Sequence, residues 1–166
     1  MIENKCKRIA VSPYLTLHKR THKIVPLNKS TIPADCPAPK LILIGEDDLD
    51  DKEFLIDVFA TVDKAFYLEF VNNGRKVLTT LEKIPDDRLP CLIVLDYNMP
   101  ELNGAEILLE LKNHRRYDPI PKVIWSTSGS DTYKSICLAL GAKAYVMKPS
   151  NVKDFEDIVR HMVSFC

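Results

Sequence analysis

Residues 92–104 read Leu-Ile-Val-Leu-Asp-Tyr-Asn-Met-Pro-Glu-Leu-Asn-Gly, and this stretch decides the fold. Four apolar residues lead into Asp96, and Pro100 with the pair Asn103-Gly104 indicates a turn. A short, continuous apolar run is typical of a strand buried on both faces, as in a parallel sheet. Asp96 is therefore expected where a central strand ends, at the edge of the sheet where open α/β folds bind ligands. From this stretch alone, a turn cap is an equally good interpretation of Asp96.

The composition is that of an ordinary globular protein with an uneven distribution of charge. The 166 residues are 46% hydrophobic and 28% charged, with a net charge of zero. Residues 1–39 contain seven Lys or Arg against two Asp or Glu, and five prolines interrupt them. We predict a poorly ordered basic arm over residues 1–39 and one acidic domain over residues 40–166. Nucleic-acid binding by the arm is disfavoured, because Tyr14 is the only aromatic residue among its charges.

The cysteines and the apolar runs indicate a cytoplasmic protein. The five cysteines are odd in number and widely scattered, and no Cys-x-x-Cys pair occurs. This pattern disfavours zinc and disulfide frameworks and favours a reducing compartment. No apolar run approaches the length of a membrane span, and the N-terminus lacks the apolar core of a secretory signal.

From residue 40 onward, predicted strands alternate with predicted helices. The strands are short apolar runs over residues 41–44, 66–71, 91–95, 123–125 and 144–147. The helices show apolar residues at helical spacing over residues 49–62, 77–84, 104–114, 136–140 and from 152 almost to 166. Five alternations of this kind predict a parallel sheet covered by helices on both faces.

Polar side chains follow four of these strands at the point where each strand ends. Glu46 and Asp47 follow the first strand, Asp96 the third, Ser126 the fourth and Lys148 the fifth. Each residue has an ordinary alternative explanation as a helix start, a turn or a loop. Together they predict a site at the carboxyl edge, where a divalent cation with hard oxygen ligands would relieve the repulsion between carboxylates. Such a set suits phosphoryl transfer onto an aspartate, with Mg²⁺ and lysine offsetting the transferred charge.

The segments at this edge resemble the receiver domain of two-component response regulators. The resemblance covers residues 40 to about 165, and the matching segments are Leu43–Asp48, Leu95–Pro100 with Asn103-Gly104, Ile124–Thr127, Gly141-Ala142 and Tyr145–Pro149. It implies a flavodoxin-like (βα)5 three-layer sandwich with a five-stranded parallel sheet in the order 2-1-3-4-5, the strand order that describes a chemotaxis receiver.

The resemblance also implies a role for each acidic residue of the site. Asp96 matches the phosphoacceptor, and Glu46 and Asp47 match the acidic pair that organises magnesium. Asp47 is expected to bind the ion directly and Glu46 through water. Asn98 matches the position whose backbone carbonyl completes the metal site.

Three further positions match the residues that respond to the phosphoryl group. Ser126 matches the switch hydroxyl, Lys148 the lysine that pairs with the phosphoryl group, and Tyr145 the aromatic residue that turns inward on activation. Pro149 matches the proline after that lysine, and the peptide bond before it is usually cis in the family.

The chain also departs from the family pattern at three places. Gly45 stands where an apolar side chain is usual, and it is expected to loosen the end of the first strand. Trp125 is large for the fourth strand and requires a roomy neighbour. The arm over residues 1–39 has no counterpart.

The expected function is that of a stand-alone response regulator, with no DNA-binding domain after residue 166 and no enzymatic activity beyond its own phosphorylation and dephosphorylation. A sensor histidine kinase or a histidine phosphotransfer protein would supply the phosphoryl group, and a downstream protein target would receive the signal. A homodimer could form through the face made by the fourth helix, the fifth strand and the fifth helix. One alternative is a receiver-fold interaction module that works without phosphorylation. Another is an aspartate-nucleophile phosphatase, which Asn98 disfavours because such enzymes place a second Asp there.

Overall fold

The apolar run that ends at Asp96 forms a central strand of a parallel sheet. The structure is a computed structural model that describes residues 10–11, 40–61, 66–149 and 153–166. Its strands, in chain order, are β1 Ala10–Val11, β2 Lys40–Gly45, β3 Phe66–Val71, β4 Leu92–Asp96, β5 Lys122–Ser126 and β6 Ala144–Met147. They lie in the order β1-β3-β2-β4-β5-β6, and every pair is parallel.

Among the described residues, four helices lie between the strands from β2 to β6, and a fifth follows β6. They are α1 Leu49–Phe59, α2 Gly74–Lys83, α3 Gly104–Lys112, α4 Asp131–Ala139 and α5 Lys153–Val163, with short 3-10 turns at Asp86–Arg88 and Arg115–Tyr117. Without β1, the strand order is the predicted 2-1-3-4-5, so the flavodoxin-like fold class is confirmed.

One strand falls in the basic arm. Ala10 and Val11 pair with Tyr67 and Leu68 of β3, which extends the sheet to six strands among the described residues. In the sequence, the segment over residues 11–17 is compatible with a short strand, and the described strand begins one residue before it. The rest of the arm lies outside the described residues, so its poor order stays a prediction.

Side chains of β4 alternate between two apolar cores, one on each face of the sheet. Ile93 and Leu95 pack beneath α2 and α3, whereas Leu92 and Val94 pack toward α1 and α5. All four are buried, and burying a side chain of this size contributes about 1.5–3 kcal/mol. The backbone that leads into Asp96 is therefore fixed from both sides.

A disulfide joins Cys91 to Cys166, so the prediction that disfavoured disulfides is wrong here. Cys91 immediately precedes β4, and α5 returns along the sheet to bring Cys166 beside it, with 5.0 Å between the Cα atoms. The two residues are 75 apart in sequence, so no local spacing indicates the pair. Among the described cysteines, Cys137 is free and buried.

Candidate functional site

Some polar residues at the carboxyl edge of the sheet cap helices rather than build a site. The Asp48 side chain accepts hydrogen bonds from the backbone N–H groups of Asp50 and Asp51 and so begins α1. Asn73 and Asn103 cap α2 and α3 in the same way. The helix-start interpretation of this acidic stretch is therefore correct for Asp48, and other residues are left to form the site.

Three carboxylates at this edge converge. One oxygen from each of Glu46, Asp47 and Asp96 lies within 4.8 Å of the others. Glu46 and Asp96 are buried at the ends of β2 and β4, whereas Asp47 is exposed. Three hard oxygen donors at this separation fit a divalent cation, because a cation relieves their mutual repulsion.

Lys148 reaches into the same cluster from the end of β6. Its Nζ lies 2.8 Å from Glu46 Oε2, 2.7 Å from Asp51 Oδ2 and 3.4 Å from Asp96 Oδ2. The backbone N–H of Lys148 donates to the carbonyl of Ser126 (2.7 Å), which holds the ends of β5 and β6 together. Only 8% of the lysine side chain is exposed, so its charge acts in a poorly screened environment.

Burial and charge act in opposite directions on the ionisation of this cluster. Burial raises the pKa of both Glu46 and Asp96, and the Lys148 ammonium offsets part of that rise. Burial alone would lower the pKa of Lys148, but hydrogen bonds to Asp51 and Glu46 outweigh it and raise the pKa. Lys148 therefore remains a cation at neutral pH and supports an ionised carboxylate at Asp96.

The predicted switch residues lie on the neighbouring strands. Ser126 is fully buried at the end of β5, and its Oγ accepts a hydrogen bond from the backbone N–H of Ser128 (3.1 Å). The Tyr145 hydroxyl donates to the carbonyl of the same Ser128 (2.8 Å). The two side chains are thus connected through one loop residue.

The turn after Asp96 is held by Asp96 itself. The backbone N–H of Asn98 donates to Asp96 Oδ1 (3.3 Å), so the carboxylate closes a local turn as well as facing Lys148. The role of the Asn98 carbonyl stays a prediction. No cis peptide bond occurs in the described residues, which include Lys148 and Pro149, so the cis bond implied by the resemblance is absent.

Asp51 is a residue of the site that the sequence interpretation did not single out. Its carboxylate contacts Lys148 more closely than the carboxylate of Asp96 does. The capping position of Asp48 makes Asp51 the third residue of α1, and side chains there point back toward the helix start. That geometry is the signal that could have identified it.

Gly45 and Trp125, the two residues of the domain that depart from the family pattern, both pack against buried neighbours. Gly45 pairs with both Val71 and Leu95, and an added Cβ would lie 2.9 Å from Met99 Cε. Met99 thus fills the space that a side chain at residue 45 would take, and the strand end is not loosened. Trp125 is buried against Phe155, with ring centroids 5.5 Å apart.

A parallel sheet in this order, with an acidic cluster and a lysine at its carboxyl edge, defines a receiver domain. Residues 42–160 match the response regulator receiver domain family, and the chain belongs to it. Members of this family act as phosphoacceptors in two-component signalling, where they interact with histidine kinases or phosphotransfer proteins, and they hold a divalent metal ion.

Curated relatives and solved structures agree with this assignment. The chain is 29% identical over 130 residues to the response regulator Rcp1 of Synechocystis sp., covering 76% of this chain and 88% of Rcp1. It is 30% identical over 125 residues to the chemotaxis protein CheV2 of Helicobacter pylori, but there it covers 75% of this chain and only 39% of CheV2.

The structural neighbours include an Mn²⁺-bound form of Rcp1 and a phosphorylated cyanobacterial phytochrome response regulator, RcpA. The Rcp1 structure has 29% identity and a TM-score of 0.68, over 76% of this chain and 94% of that one. The RcpA structure has 27% identity and a TM-score of 0.70, over 77% and 94%. Within the described part of the chain, no helix is both long and apolar enough to cross a membrane.

Proposed function

We propose that Asp96 accepts the phosphoryl group and that the protein is a phosphorylation-controlled switch of a two-component phosphorelay. The observation that carries this proposal is the position of the Asp96 carboxylate, which is buried at the end of β4 with Lys148 Nζ 3.4 Å from its Oδ2. A carboxylate beside a fixed ammonium and two further acids is equipped to receive an anionic group.

In the proposed reaction, an Asp96 carboxylate oxygen forms a bond to the donor phosphorus atom. The bond from phosphorus to the donor breaks, and the leaving group, a histidine nitrogen or an acetate oxygen, departs with the electron pair. Lys148 offsets the charge of the transferred group. The protein would catalyse only this transfer and the later hydrolysis of the aspartyl phosphate, in which water takes the phosphoryl group as inorganic phosphate and the Asp96 carboxylate is regenerated.

The proposed metal is Mg²⁺, held directly by Asp47 and Asp96, by the backbone carbonyl of Asn98, and through water by Glu46. Hard oxygen donors and the absence of His or Cys from this carboxylate group favour Mg²⁺, and the Mn²⁺ bound by Rcp1 is consistent with a divalent site. The cation would neutralise charge on the phosphoryl oxygens.

The proposed switch begins at Ser126. A phosphoryl oxygen on Asp96 would accept a hydrogen bond from the Ser126 hydroxyl. Movement of this side chain toward the phosphoryl group would break the hydrogen bond that it accepts from the Ser128 N–H. A shift of Ser128 would then release the hydroxyl of Tyr145, which allows that ring to turn inward.

The proposed output surface is the face made by α4, β6 and α5. Apolar side chains are exposed there at Tyr133, Ile136 and Met147, which suits contact with a downstream protein or a second copy of the chain. The proposed phosphoryl donor is a sensor histidine kinase or a histidine phosphotransfer protein. The proposed location is the cytoplasm, and this proposal rests on the phosphoryl donor rather than on the cysteines, because Cys91 and Cys166 form a disulfide. We also propose the domain division made above, with an arm over residues 1–39 and a receiver over residues 40–166.

Labelling with acetyl phosphate and Mg²⁺ tests the acceptor. We expect the wild-type protein to gain the mass of one phosphoryl group and Asp96→Asn to gain none. Asp50→Asn, a change at an exposed residue, should behave as the wild-type protein does. A phosphoryl gain that persists in Asp96→Asn would contradict the assignment.

A further inference from the structure

We infer that Asp51 is a positioning residue for Lys148, and this inference rests on the proposed role of Asp96 as the acceptor. The Asp51 carboxylate lies outside the group of three that fits a divalent ion, yet it makes the shortest contact of the lysine, 2.7 Å from Oδ2 to Nζ. Asp51 therefore holds the ammonium beside the place where the phosphoryl group arrives.

The lysine ammonium has three N–H donors, and two carboxylates engage two of them. Glu46 and Asp51 lie at 2.8 and 2.7 Å, and Asp96 lies next, at 3.4 Å. A lysine side chain has four flexible bonds, so a single contact does not fix the ammonium. Two such contacts engage two of the donors and leave the third available to Asp96, whose Oδ2 is 3.4 Å away.

Of the two contacts, the one to Asp51 is compatible with a metal-bound site. Glu46 belongs to the three carboxylates that fit the cation, and a cation there would compete with Lys148 for its oxygens. Asp51 is on the first turn of α1, where its own backbone N–H donates to Asp48 Oδ1 (3.0 Å). Its side chain is 34% exposed, and it is not one of the three converging carboxylates. Asp51 is therefore the carboxylate that keeps Lys148 in place when Glu46 turns to the ion.

The contact and its consequence are tested on the full chain with Asp51→Ala, Asp51→Asn and the control Asp50→Asn. In the metal-free protein, the ¹⁵Nζ signal of Lys148 reports how well the ammonium is shielded from exchange with water. We expect this signal to be sharp in the wild-type protein and in Asp50→Asn, weaker in Asp51→Asn, and lost by exchange in Asp51→Ala.

With Mg²⁺ present, the affinity for beryllofluoride, a phosphoryl mimic, and the rate of labelling by acetyl phosphate measure the consequence. Loss of one charge-assisted contact is expected to lower both about tenfold in Asp51→Ala, with Asp51→Asn intermediate because it keeps an acceptor oxygen. Thermal unfolding of each variant separates this effect from a general loss of stability, and the isosteric Asp51→Asn serves if Asp51→Ala does not fold.

The inference would be overturned if both Asp51 variants kept the beryllofluoride affinity and were labelled at the same rate or faster. Asp51 would then only pair with the lysine or restrain it, without helping the phosphoryl group to bind. If the wild-type protein were not labelled at Asp96, the proposed function itself would be contradicted instead. That result is distinguishable, because it occurs without any change at residue 51.

Discussion

At the scale of single residues, the site depends on a balance at Asp96. Burial disfavours the ionised form of this carboxyl group and raises its pKa, whereas the ammonium of Lys148 at 3.4 Å favours the ionised form. A nucleophilic carboxylate requires that the ammonium stay close, and contacts to Glu46 and Asp51 keep it there. The reactivity proposed for Asp96 thus depends on four side chains, which come from α1 and from the ends of three strands.

Replacement of Gly45 by the larger side chain that the family usually has should destabilise this chain. Valine at residue 45 would overlap Met99 and Val77, whose nearest atoms lie 2.9 to 3.0 Å from a Cβ at that position. We predict a loss of about 1–3 kcal/mol in the free energy of unfolding, measured with urea, because both neighbours are buried.

Two further variants test whether the space occupied by Met99 causes this loss of stability. Gly45→Ala should cost less than Gly45→Val, because the flexible tip of Met99 can move. The cost of Gly45→Val should also shrink in the background of Met99→Ala, which empties the same space. A Gly45→Val variant as stable as the unvaried protein would show that residue 45 and Met99 do not share this space.

At the scale of elements, the loop between β5 and α4 connects the site to the output surface. Ser126, at the end of β5, and Tyr145, on β6, both bind Ser128 of this loop, through its N–H and its carbonyl respectively. The far end of the loop begins α4, where Ser130 caps the helix and Tyr133 stacks on Tyr97 with centroids 4.6 Å apart. A change at Ser126 therefore has a short physical route to α4.

Removal of the Ser126 hydroxyl should separate phosphorylation from the response. Ser126→Ala is predicted to be labelled at Asp96 by acetyl phosphate, because the carboxylate and Lys148 are untouched. When beryllofluoride is added, the NMR resonances of Tyr145 and α4 in this variant should shift by only a small fraction of the change seen in the wild-type protein. Thr127→Ala is the control, since Thr127 is the adjacent exposed hydroxyl residue. A full response in Ser126→Ala would remove this hydroxyl from the switch.

At the scale of the whole molecule, the alternation of apolar runs was enough to predict five strands and five helices along the chain, whereas the order of the strands in the sheet was predicted from the resemblance to the receiver family. The residues at strand ends could be predicted for the same reason, because parallel strands bring Asp96 and Lys148 to one edge regardless of detail. In the structure, Lys148 Nζ lies 3.4 Å from Asp96 Oδ2, and the roles of the two residues stay predictions.

The features that the sequence did not predict all depend on contacts between distant segments. The contact between Asp51 and Lys148 depends on the direction of a side chain on the first turn of α1. The packing of Met99 into the space beside Gly45 depends on the path of the loop that contains Met99. The Cys91–Cys166 disulfide depends on where α5 ends. No local period or spacing predicts the packing at Gly45 or the disulfide, and the capping position of Asp48 indicates only the direction of the Asp51 side chain, not its partner.

The disulfide should stabilise the whole domain. It closes a loop across 75 positions, and the chain-entropy model gives about 4 kcal/mol for a loop of this length. We predict that dithiothreitol lowers the free energy of unfolding by up to about that amount, measured by urea unfolding. Cys91→Ser should show the lower stability from the start and should not respond to dithiothreitol. Equal stability with and without the reductant would contradict the pairing.

The acceptor assignment is tested most directly by identifying the modified atom. Borohydride reduces an aspartyl phosphate to homoserine, so treatment after acetyl phosphate and Mg²⁺ marks the acceptor permanently, and peptide mapping by mass spectrometry locates it. We predict homoserine at residue 96, dependent on Mg²⁺, with Asp47 and Asp51 unchanged. Homoserine at another carboxylate, with Asp96 intact, would contradict the account.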